Sequence, residues 1–383
     1  MNIWSRPNGL STQFDWYANT GANALGLRQI HLSQSGATVS KFSYTYDLAG
    51  RIQTWTRQLD HTLANKKDWG LAHSRAGELT RVVEKNASTV GTSRAPCSYD
   101  PAQNRYATGD STFTSHRTHD SMKRLNQIEG AGKIVVKVTL NEPVNVSVAG
   151  QPAVISSVPS NGDFNFQIIA TNANGNARSQ NYSFQVGADQ KTYKHDFNGN
   201  LLREKDPVGT VIRSFEWDGA DRLKAVNLGA KRVEWTDDGA RQHALETVNG
   251  GASKRYLWDR VALLPERTPP GVITKWSYGD GEQHVGGKDA GYYDYTRDPL
   301  GSVREVINQS GGIEARYDYD AYGKRSITYQ NAGYLNGCRF GYTGHVTFES
   351  LIAGQSELAL SHFRANDPQL RRWLSRDPIE EEG

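Results

Sequence analysis

The stretch DPLGSVREVINQSGGIEARYDYDAYG, residues 298–323, decides the fold class of this chain. Apolar and polar residues alternate over residues 302–307 and again over residues 313–319, and a Gly-containing break at residues 308–312 separates the two runs. Alternation with a period of two is typical of a strand with one buried face, and a short Gly break between two such runs indicates a hairpin. The stretch therefore predicts an antiparallel hairpin between turns at Asp298 and Asp320.

The same unit recurs along the chain: an aromatic residue or His, then Asp, two residues, Gly or Asn, Arg or Asn, and Leu. Residues 44–50 (YTYDLAG) follow it, and residues 73–77 (HSRAG) follow it without the Tyr-Asp pair. An Asp at this position can close a turn through its own side chain. The intervals Asp100–Asp120, Asp196–Asp218, Asp218–Asp237 and Asp237–Asp259 are 20, 22, 19 and 22 residues. Such a period, with turn residues at a fixed phase, predicts a repeated array of β-hairpins.

One interval is much longer, because Asp120 and Asp196 are 76 residues apart. Residues 131–187 within it contain no Tyr-Asp unit and alternate cleanly in VNVSV, AVISSV, FNFQIIA and YSFQV. Short strands about 8–12 residues apart are typical of a small β-sandwich. Omitting residues 131–187 restores a normal interval. The sequence therefore predicts an immunoglobulin-like module inserted at an exposed hairpin tip, where insertions are tolerated.

The bulk composition argues against several classes of protein. A formal net charge of +3 over 383 residues argues against binding to nucleic acid or to an acidic membrane. The two cysteines, Cys97 and Cys338, are too few for a disulfide framework or a zinc site. The N-terminus lacks the apolar core of a signal peptide, and no apolar run is long enough for a membrane span. No metal or cofactor motif is present, so we expect neither group.

These motifs resemble those of the Rhs/YD-repeat family, the shells of bacterial polymorphic toxins and toxin complexes. The resemblance rests on the repeated unit, on DPLGSVREV (residues 298–306) with YDYDAYG (residues 317–323), and on FGYTGH (residues 340–345) followed by FRANDPQLRRWLSRDP (residues 363–378). The series from Asp298 onward is similar to the family's Rhs-associated core domain. We therefore divide the chain into YD-repeat hairpins at residues 1–130 and 188–290, the inserted module at residues 131–187, and a C-terminally truncated core domain at residues 291–383.

The resemblance implies an all-β fold in which a ribbon of YD-repeat hairpins spirals into a hollow shell, here a partial one. In the family the shell encloses a C-terminal toxin, and the core domain plugs one end. The implied function is that of a structural shell segment. Its partners would be a C-terminal toxin domain or the rest of the shell. The implied location is secreted or at the cell surface, as part of a larger bacterial protein.

The resemblance also implies a candidate catalytic site, since many members cut the chain behind the core domain with paired acidic residues. Arg376 and Asp377 of the SRDP motif match this site. Cleavage by carboxylates needs two acids in different protonation states. The family's second Asp and the cleaved bond lie further downstream, and Glu380 stands where the family has Gly. The sequence therefore predicts half a site and no self-cleavage in this form. The alternative is that Asp367-Pro368 and Asp377-Pro378 only form turns and have no catalytic role.

Two other interpretations stay open. Asp318 and Asp320 lie at a period of two, so their carboxyl groups could approach each other for glycoside hydrolysis, although an Asp in every unit favours turn closure. The aromatic strands could also form a surface that binds carbohydrate or a neighbouring cell. The candidates for stacking on sugars are Trp55, Trp217, Trp235, Trp258 and Trp276, whose repeat phase favours packing across strands instead.

Overall fold

The computed structural model describes residues 2–21, 23–60, 66–86, 92–94, 97–101, 103–109, 114–129, 145–148, 151–152, 162–171, 174–175, 177–186, 191–260, 262–334, 337–347, 357–361 and 364–377. The regular structure of these residues is almost entirely antiparallel strand, which confirms the predicted all-β fold. The strands form four sheets, of which two are large and two are small.

The first large sheet has eight strands in sequence order, each antiparallel to the next. Alternate residues such as Ile30 and Leu32 are buried on one face, as the period-two pattern requires. The strands are β1 (Asn2–Ser5), β2 (Leu10–Trp16), β3 (Leu27–Gln34), β4 (Ala37–Tyr46), β5 (Ile52–Leu59), β6 (Lys66–His73), β7 (Leu79–Asn86) and β8 (Thr92–Arg94).

The second large sheet is closed on itself. It begins with β9 (Cys97–Tyr99), β10 (Arg105–Gly109), β11 (Thr114–His119) and β12 (Leu125–Glu129). It continues, after four strands that belong elsewhere, with β17 (Lys191–His195), β18 (Leu201–Lys205), β19 (Val211–Trp217), β20 (Leu223–Leu228), β21 (Lys231–Asp237), β22 (His243–Val248), β23 (Gly251–Asp259), β24 (Ala262–Arg267), β25 (Ile273–Tyr278), β26 (Gly281–His284), β27 (Gly291–Arg297), β28 (Val303–Asn308), β29 (Ile313–Tyr319) and β30 (Arg325–Gln330).

The strands between β12 and β17 form a separate small sheet in the order β14-β13-β15-β16: β13 (Asn145–Val148), β14 (Gln151–Pro152), β15 (Gly162–Thr171) and β16 (Ala177–Val186). β12 pairs directly with β17, with Gln127 opposite Thr192, so the chain leaves the array and returns to the neighbouring position. The other residues of the predicted module at 131–187 lie outside those described. Its sandwich form and its boundaries stay predictions.

Most hairpins of the array are joined by one recurrent five-residue turn. At Asp218 the carboxylate Oδ1 accepts the backbone N–H groups of Ala220 and Arg222 at 2.9 and 3.0 Å. Its carbonyl accepts the N–H of Asp221, which has a φ of 59°. This left-handed conformation favours glycine, and Gly301 takes it, with a φ of 83°, in the turn that begins at Asp298. The repeated Asp is therefore a turn former.

With a side-chain oxygen of its first residue as an acceptor, the turn begins at twelve positions in the described residues: Asp47, Ser74, Asp100, Asp120, Asp196, Asp206, Asp218, Asp238, Thr268, Asp298, Asn308 and Asp320. The same backbone hydrogen bonds also form at Arg6. Two assignments from the sequence were wrong. Asp238 rather than Asp237 begins its turn, because Asp237 instead pairs with Arg222 at 2.9 Å. Asp259 ends β23 and lies opposite Ala262 across a two-residue connection. The HSRAG unit forms the same turn, and Ser74 takes the Asp position in it.

Asp218→Ala is expected to lower the free energy of unfolding by about 1–2 kcal/mol, because two backbone N–H groups and the guanidinium of Arg222 lose their acceptor. Asp218→Asn is the matched control, since Asn308 closes the same turn with its amide oxygen. We expect the Asn variant to retain most of the stability in urea unfolding. Equal losses in the two variants would contradict the turn-closing role.

The described C-terminal residues, 337–347, 357–361 and 364–377, leave the array and pack against the closed sheet. They contain a 3-10 turn at Tyr342–Gly344 and a three-stranded sheet of β31 (Ala359–Leu360), β32 (Ala365–Asp367) and β33 (Arg372–Trp373). They contact strands around the circumference, since the carbonyl groups of Leu370, Leu374, Gly337 and Gly341 accept hydrogen bonds from Arg117, Leu201, Lys275 and Val303 respectively. Apolar side chains fill the space between: Leu358, Leu360, Leu370 and Leu374 pack with Tyr193, Phe215, Trp235 and Tyr256.

The first sheet packs on the hairpin β28–β29. Ile307 is fully buried in one cluster with Leu10, Ile30 and Phe42 of the first sheet. Polar contacts surround this cluster: Arg57 pairs with Asp318 at 2.6 Å, and Arg316 pairs with Asp60 at 2.5 Å. The stretch 298–323 therefore lies between the first sheet and the C-terminal segment.

Glu305 is buried at this junction, where it accepts hydrogen bonds from Thr296 and from Ser40 of the first sheet. Burial raises the pKa of Glu305 above its ordinary value of 4.5, and the opposing effects of Thr296 and Arg316 do not cancel this. A carboxyl group with a higher pKa in the folded protein contributes most stability below its unfolded pKa, and that contribution falls as pH rises toward the folded pKa.

Glu305→Gln keeps the shape and an acceptor oxygen but cannot ionise. We therefore expect its melting temperature to exceed that of the wild type by a margin that widens as the pH is raised from about 4.5 to about 7. Thermal unfolding at a series of pH values measures this margin. A margin independent of pH would mean that Glu305 keeps an ordinary pKa in the fold.

Candidate functional site

The C-terminal segment is held in the closed sheet by a buried ionic group. Arg213 of β19 pairs with both Glu204 of β18 and Asp367 of β32, and the Arg213–Asp367 distance is 2.5 Å. All three side chains are at least 95% buried. Burial alone would raise the pKa of Glu204, but Arg213 and Lys191 outweigh it and hold this pKa below its ordinary value. Arg213 therefore links the wall to the C-terminal segment through ion pairs on both sides.

Asp367 also acts as a turn former, because its Oδ1 accepts the N–H groups of Gln369 and Leu370 at 2.8 and 3.1 Å. This agrees with the turn interpretation of Asp367-Pro368. One carboxylate oxygen of Asp367 thus accepts backbone hydrogen bonds, and the other pairs with Arg213.

Arg376 and Asp377, the sequence-predicted half-site, lie at the end of this segment. Asp377 pairs with Arg364 at 2.6 Å, and the guanidinium of Arg364 lies 4.3 Å from the centre of the Trp373 ring. The side chain of Arg376 lies against Gly199 so closely that a Cβ there would be 2.9 Å from its Nε. The structure therefore orients Asp377 with one arginine and places the other against the turn at residues 196–200.

A cavity of about 1280 Å³ opens beside these two residues. Its lining comes from the β10–β12 region, from Tyr322 and from residues 364–377, including Arg376 and Asp377. Sequence reasoning missed its arginines on β10 and β11, because these positions are about 250 residues from the SRDP motif. The only local signal was the Arg371-Arg372 pair that precedes this motif.

Asp318 and Asp320 have separate roles. Asp318 pairs with Arg57 and with Arg304 at 2.6 and 3.0 Å, which links the first sheet to β28. Asp320 closes the next turn by accepting the N–H groups of Tyr322 and Lys324, both at 2.9 Å. These contacts account for both carboxylates without glycoside chemistry.

None of the five candidate tryptophans is exposed. Trp235 is buried, and the indole N–H groups of Trp217 and Trp258 donate to the carbonyls of Leu201 and His243, each at 2.8 Å. These side chains pack between strands, and they do not form an exposed row.

A second polar network lies deep in the core. His284 contacts Glu282 at 3.0 Å and Asp289 at 2.9 Å, and Glu282 also accepts from Tyr334 at 2.6 Å and pairs with Lys275 at 3.2 Å. Burial acts to raise the pKa of Glu282, but Lys275, His284 and Tyr334 together lower it to about 2. Each of these side chains is almost completely buried, so we assign the network to the core.

Within the described ranges, no cluster of three or more His, Cys, Asp or Glu side chains is placed to hold a metal ion. In the same ranges, no helix has the length and apolar character needed to cross a bilayer. Cys97 and Cys338 are buried thiols, and burial raises the pKa of Cys338 to about 11.

No protein-family model matches this chain. The chain is 26% identical over 225 residues to the tRNA3(Ser)-specific nuclease WapA of Bacillus spizizenii, a match to 56% of this chain and 9% of that protein. It is 25% identical over 225 residues to the tRNA nuclease WapA of Bacillus subtilis, again 56% of this chain and 9% of that protein. The chain therefore spans about a tenth of the length of these curated relatives.

Two solved structures match this chain at low similarity. A crystal structure of TcdB2-TccC3-TEV matches 98% of this chain and 20% of its own, at 15% identity and a TM-score of 0.43. A structure of the Photorhabdus luminescens Tc holotoxin pore matches 98% of this chain and 19% of its own, at 15% identity and a TM-score of 0.40. In sequence, the chain is thus similar to a short part of the WapA nucleases.

Proposed function

We propose that this chain is a wall-and-plug segment of the structural shell of an Rhs/YD-repeat protein, which encloses and delivers a C-terminal toxin. The observation that carries the proposal is the packing of the described C-terminal residues, 337–347, 357–361 and 364–377, against the closed sheet. Their carbonyl groups accept hydrogen bonds from strands as far apart in the sheet as β18 and β28. The repeated turns and the similarity to WapA support the same proposal.

The proposal assigns two roles to different parts of the chain. The hairpin array forms the wall, and the Arg213 group anchors the core domain within it. The partners are then a C-terminal toxin domain or the remainder of the shell, and the location is secreted or at the cell surface as part of a larger protein.

Protease protection tests the enclosing role. A flexible reporter peptide with one protease site is appended after Gly383, and the same peptide is inserted beside Leu48, which is 92% exposed. We expect the C-terminal site to be cut about tenfold more slowly than the site at Leu48, since cleavage requires opening of the wall. Arg213→Met, which loosens the anchor, should remove the protection. Equal rates at both sites in the wild type would contradict an enclosing role.

We also propose that Asp377 is one acid of a self-cleaving pair, completed only when a downstream segment is present. Arg364 keeps Asp377 oriented, whereas Arg376 cannot serve as a base because its guanidinium stays protonated. The 383-residue form should therefore stay intact. A form extended by the downstream segment should be cut, and its Asp377→Asn variant should not, on a denaturing gel. Equal cutting of the two extended forms would remove Asp377 from the mechanism.

A further inference from the structure

The cavity beside Arg376 concentrates positive charge on its lining. Arg105 and Arg117 enter it from β10 and β11, and Arg371, Arg372 and Arg376 enter it from the C-terminal segment. Of these five, only Arg371 has a carboxylate within 4 Å among the described residues, and that contact, to Asp320, is 3.9 Å long. We call this set the arginine cavity. Asp377 is the one carboxylate among the described residues of the lining, and it pairs with Arg364, so positive charge is in excess there.

Protein groups hold these arginines in place without neutralising them. The carbonyl of Leu370 accepts from Arg105 at 3.2 Å and from Arg117 at 2.8 Å. The guanidinium groups of Arg105 and Arg371 lie 4.7 and 4.8 Å from the centre of the Tyr322 ring. Contacts with a carbonyl dipole and an aromatic ring orient a guanidinium but supply no formal negative charge. The cations are therefore positioned before any ligand arrives.

Several buried donors in this lining have no hydrogen-bond partner among the described residues. They are the Nε atoms of Arg105 and Arg117, Nη1 of Arg371 and Oγ of Ser375. Arg105 and Ser375 are more than nine-tenths buried. A buried donor without an acceptor is unfavourable, so such groups are usually satisfied by a ligand or water. All four are N–H or O–H groups, which an oxyanion can satisfy.

The arginines also repel one another. Burial, and then the charges of Arg105 and Arg371, lower the pKa of Arg117 to about 9. Burial, and then Arg372, lower the pKa of the adjacent His119 to about 4. A bound anion would relieve this repulsion, since opposite charge favours the protonated arginines.

We propose that the arginine cavity binds a small oligophosphate anion. Guanidinium forks suit phosphate oxygens, and several forks around one cavity suit several linked phosphate groups rather than one. A volume of about 1280 Å³ leaves room for such a chain of phosphates. This site is additional to the shell role, and it does not depend on self-cleavage.

Titration calorimetry of the 383-residue protein with tripolyphosphate tests the proposal. In about 150 mM KCl, where surface attraction is screened, we expect saturable binding at one site per chain. Arg117→Met should weaken binding at least about tenfold. The melting temperature of the ligand-free variant is measured as well, because Arg117 also donates to the carbonyl of Leu370. Arg28→Met, at a 55% exposed side chain outside the cavity, is the matched control and should bind like the wild type.

Arg376→Gln provides a second variant, at an exposed position of the lining. It too should weaken tripolyphosphate binding, and the double variant should weaken it further. Absence of saturable binding in the wild type, or equal binding in wild type and double variant, would overturn the proposal. Citrate is the carboxylate comparison. Binding of citrate as tight as that of tripolyphosphate would overturn the assignment to phosphate.

Discussion

Arg213→Met is expected to lower the free energy of unfolding by about 3–5 kcal/mol, the usual cost of removing one partner from a buried ionic group. Glu204 and Asp367 would both remain buried, at 1% and 0% exposure, after the loss of their shared cation. Glu204 would still pair with Lys191 at 2.7 Å. Asp367 has no ion pair other than that with Arg213 among the described residues. Urea unfolding of the two proteins measures the loss.

Arg232→Met is the matched control, because Arg232 is 35% exposed and pairs with Glu216 and Glu234 near the surface. Arg232→Met should lower the free energy of unfolding by less than about 1 kcal/mol, since exposed ion pairs contribute little to stability. The effect of Arg213→Met should also shrink at acid pH. In the wild type the pKa of Glu204 lies below 4.5, so the stability from this ionised pair is present above that value and is lost as pH falls through the folded pKa. Similar losses in the two variants would mean that the group does not anchor the segment.

Arg304→Leu is expected to produce a loss of similar size, about 3–5 kcal/mol, and to loosen the first sheet. Arg304 is 2% exposed and pairs with Asp298 at 2.8 Å and with Asp318 at 3.0 Å. Its guanidinium also lies 4.8 Å from the centre of the Trp55 ring in β5. Removing it leaves Asp298 buried without its cation, while Asp318 keeps Arg57. The consequence should spread to the packing of β4 and β5.

Hydrogen exchange separates the local effect from the global one. We expect faster exchange in β4 and β5 of Arg304→Leu than in β20–β22, which are remote from this junction in the strand order. Arg304→Lys keeps a positive charge but loses the planar guanidinium that reaches both carboxylates. Its exchange rates in β4 and β5 should therefore lie between those of the wild type and of Arg304→Leu. Uniform acceleration across all strands, or no acceleration, would contradict a junction at Arg304.

The all-β fold and the hairpin array could be predicted from the sequence because their determinants are local. The turn at Asp218 is closed by hydrogen bonds within five residues, so its pattern can be recognised wherever it recurs. The TDDGA unit shows the limit of this reasoning. Asp237 and Asp238 are chemically equivalent in the sequence, and only the register of β21 against β22 decides which of them begins the turn.

The sequence by itself determined the strands and most of their turns, since these depend on residues close in the chain. The pairing of β12 with β17 followed from the repeat interval, which is normal once the long insertion is omitted. Tertiary structure alone decided which charges meet. Asp367 pairs with Arg213, and Asp318 pairs with Arg57, because closure of the sheet and packing of the first sheet bring distant segments together. The arginine cavity has the same origin: its cations come from β10, β11 and the C-terminal segment. Arginines that far apart in the sequence form no recognisable motif, because they become neighbours only in the folded chain.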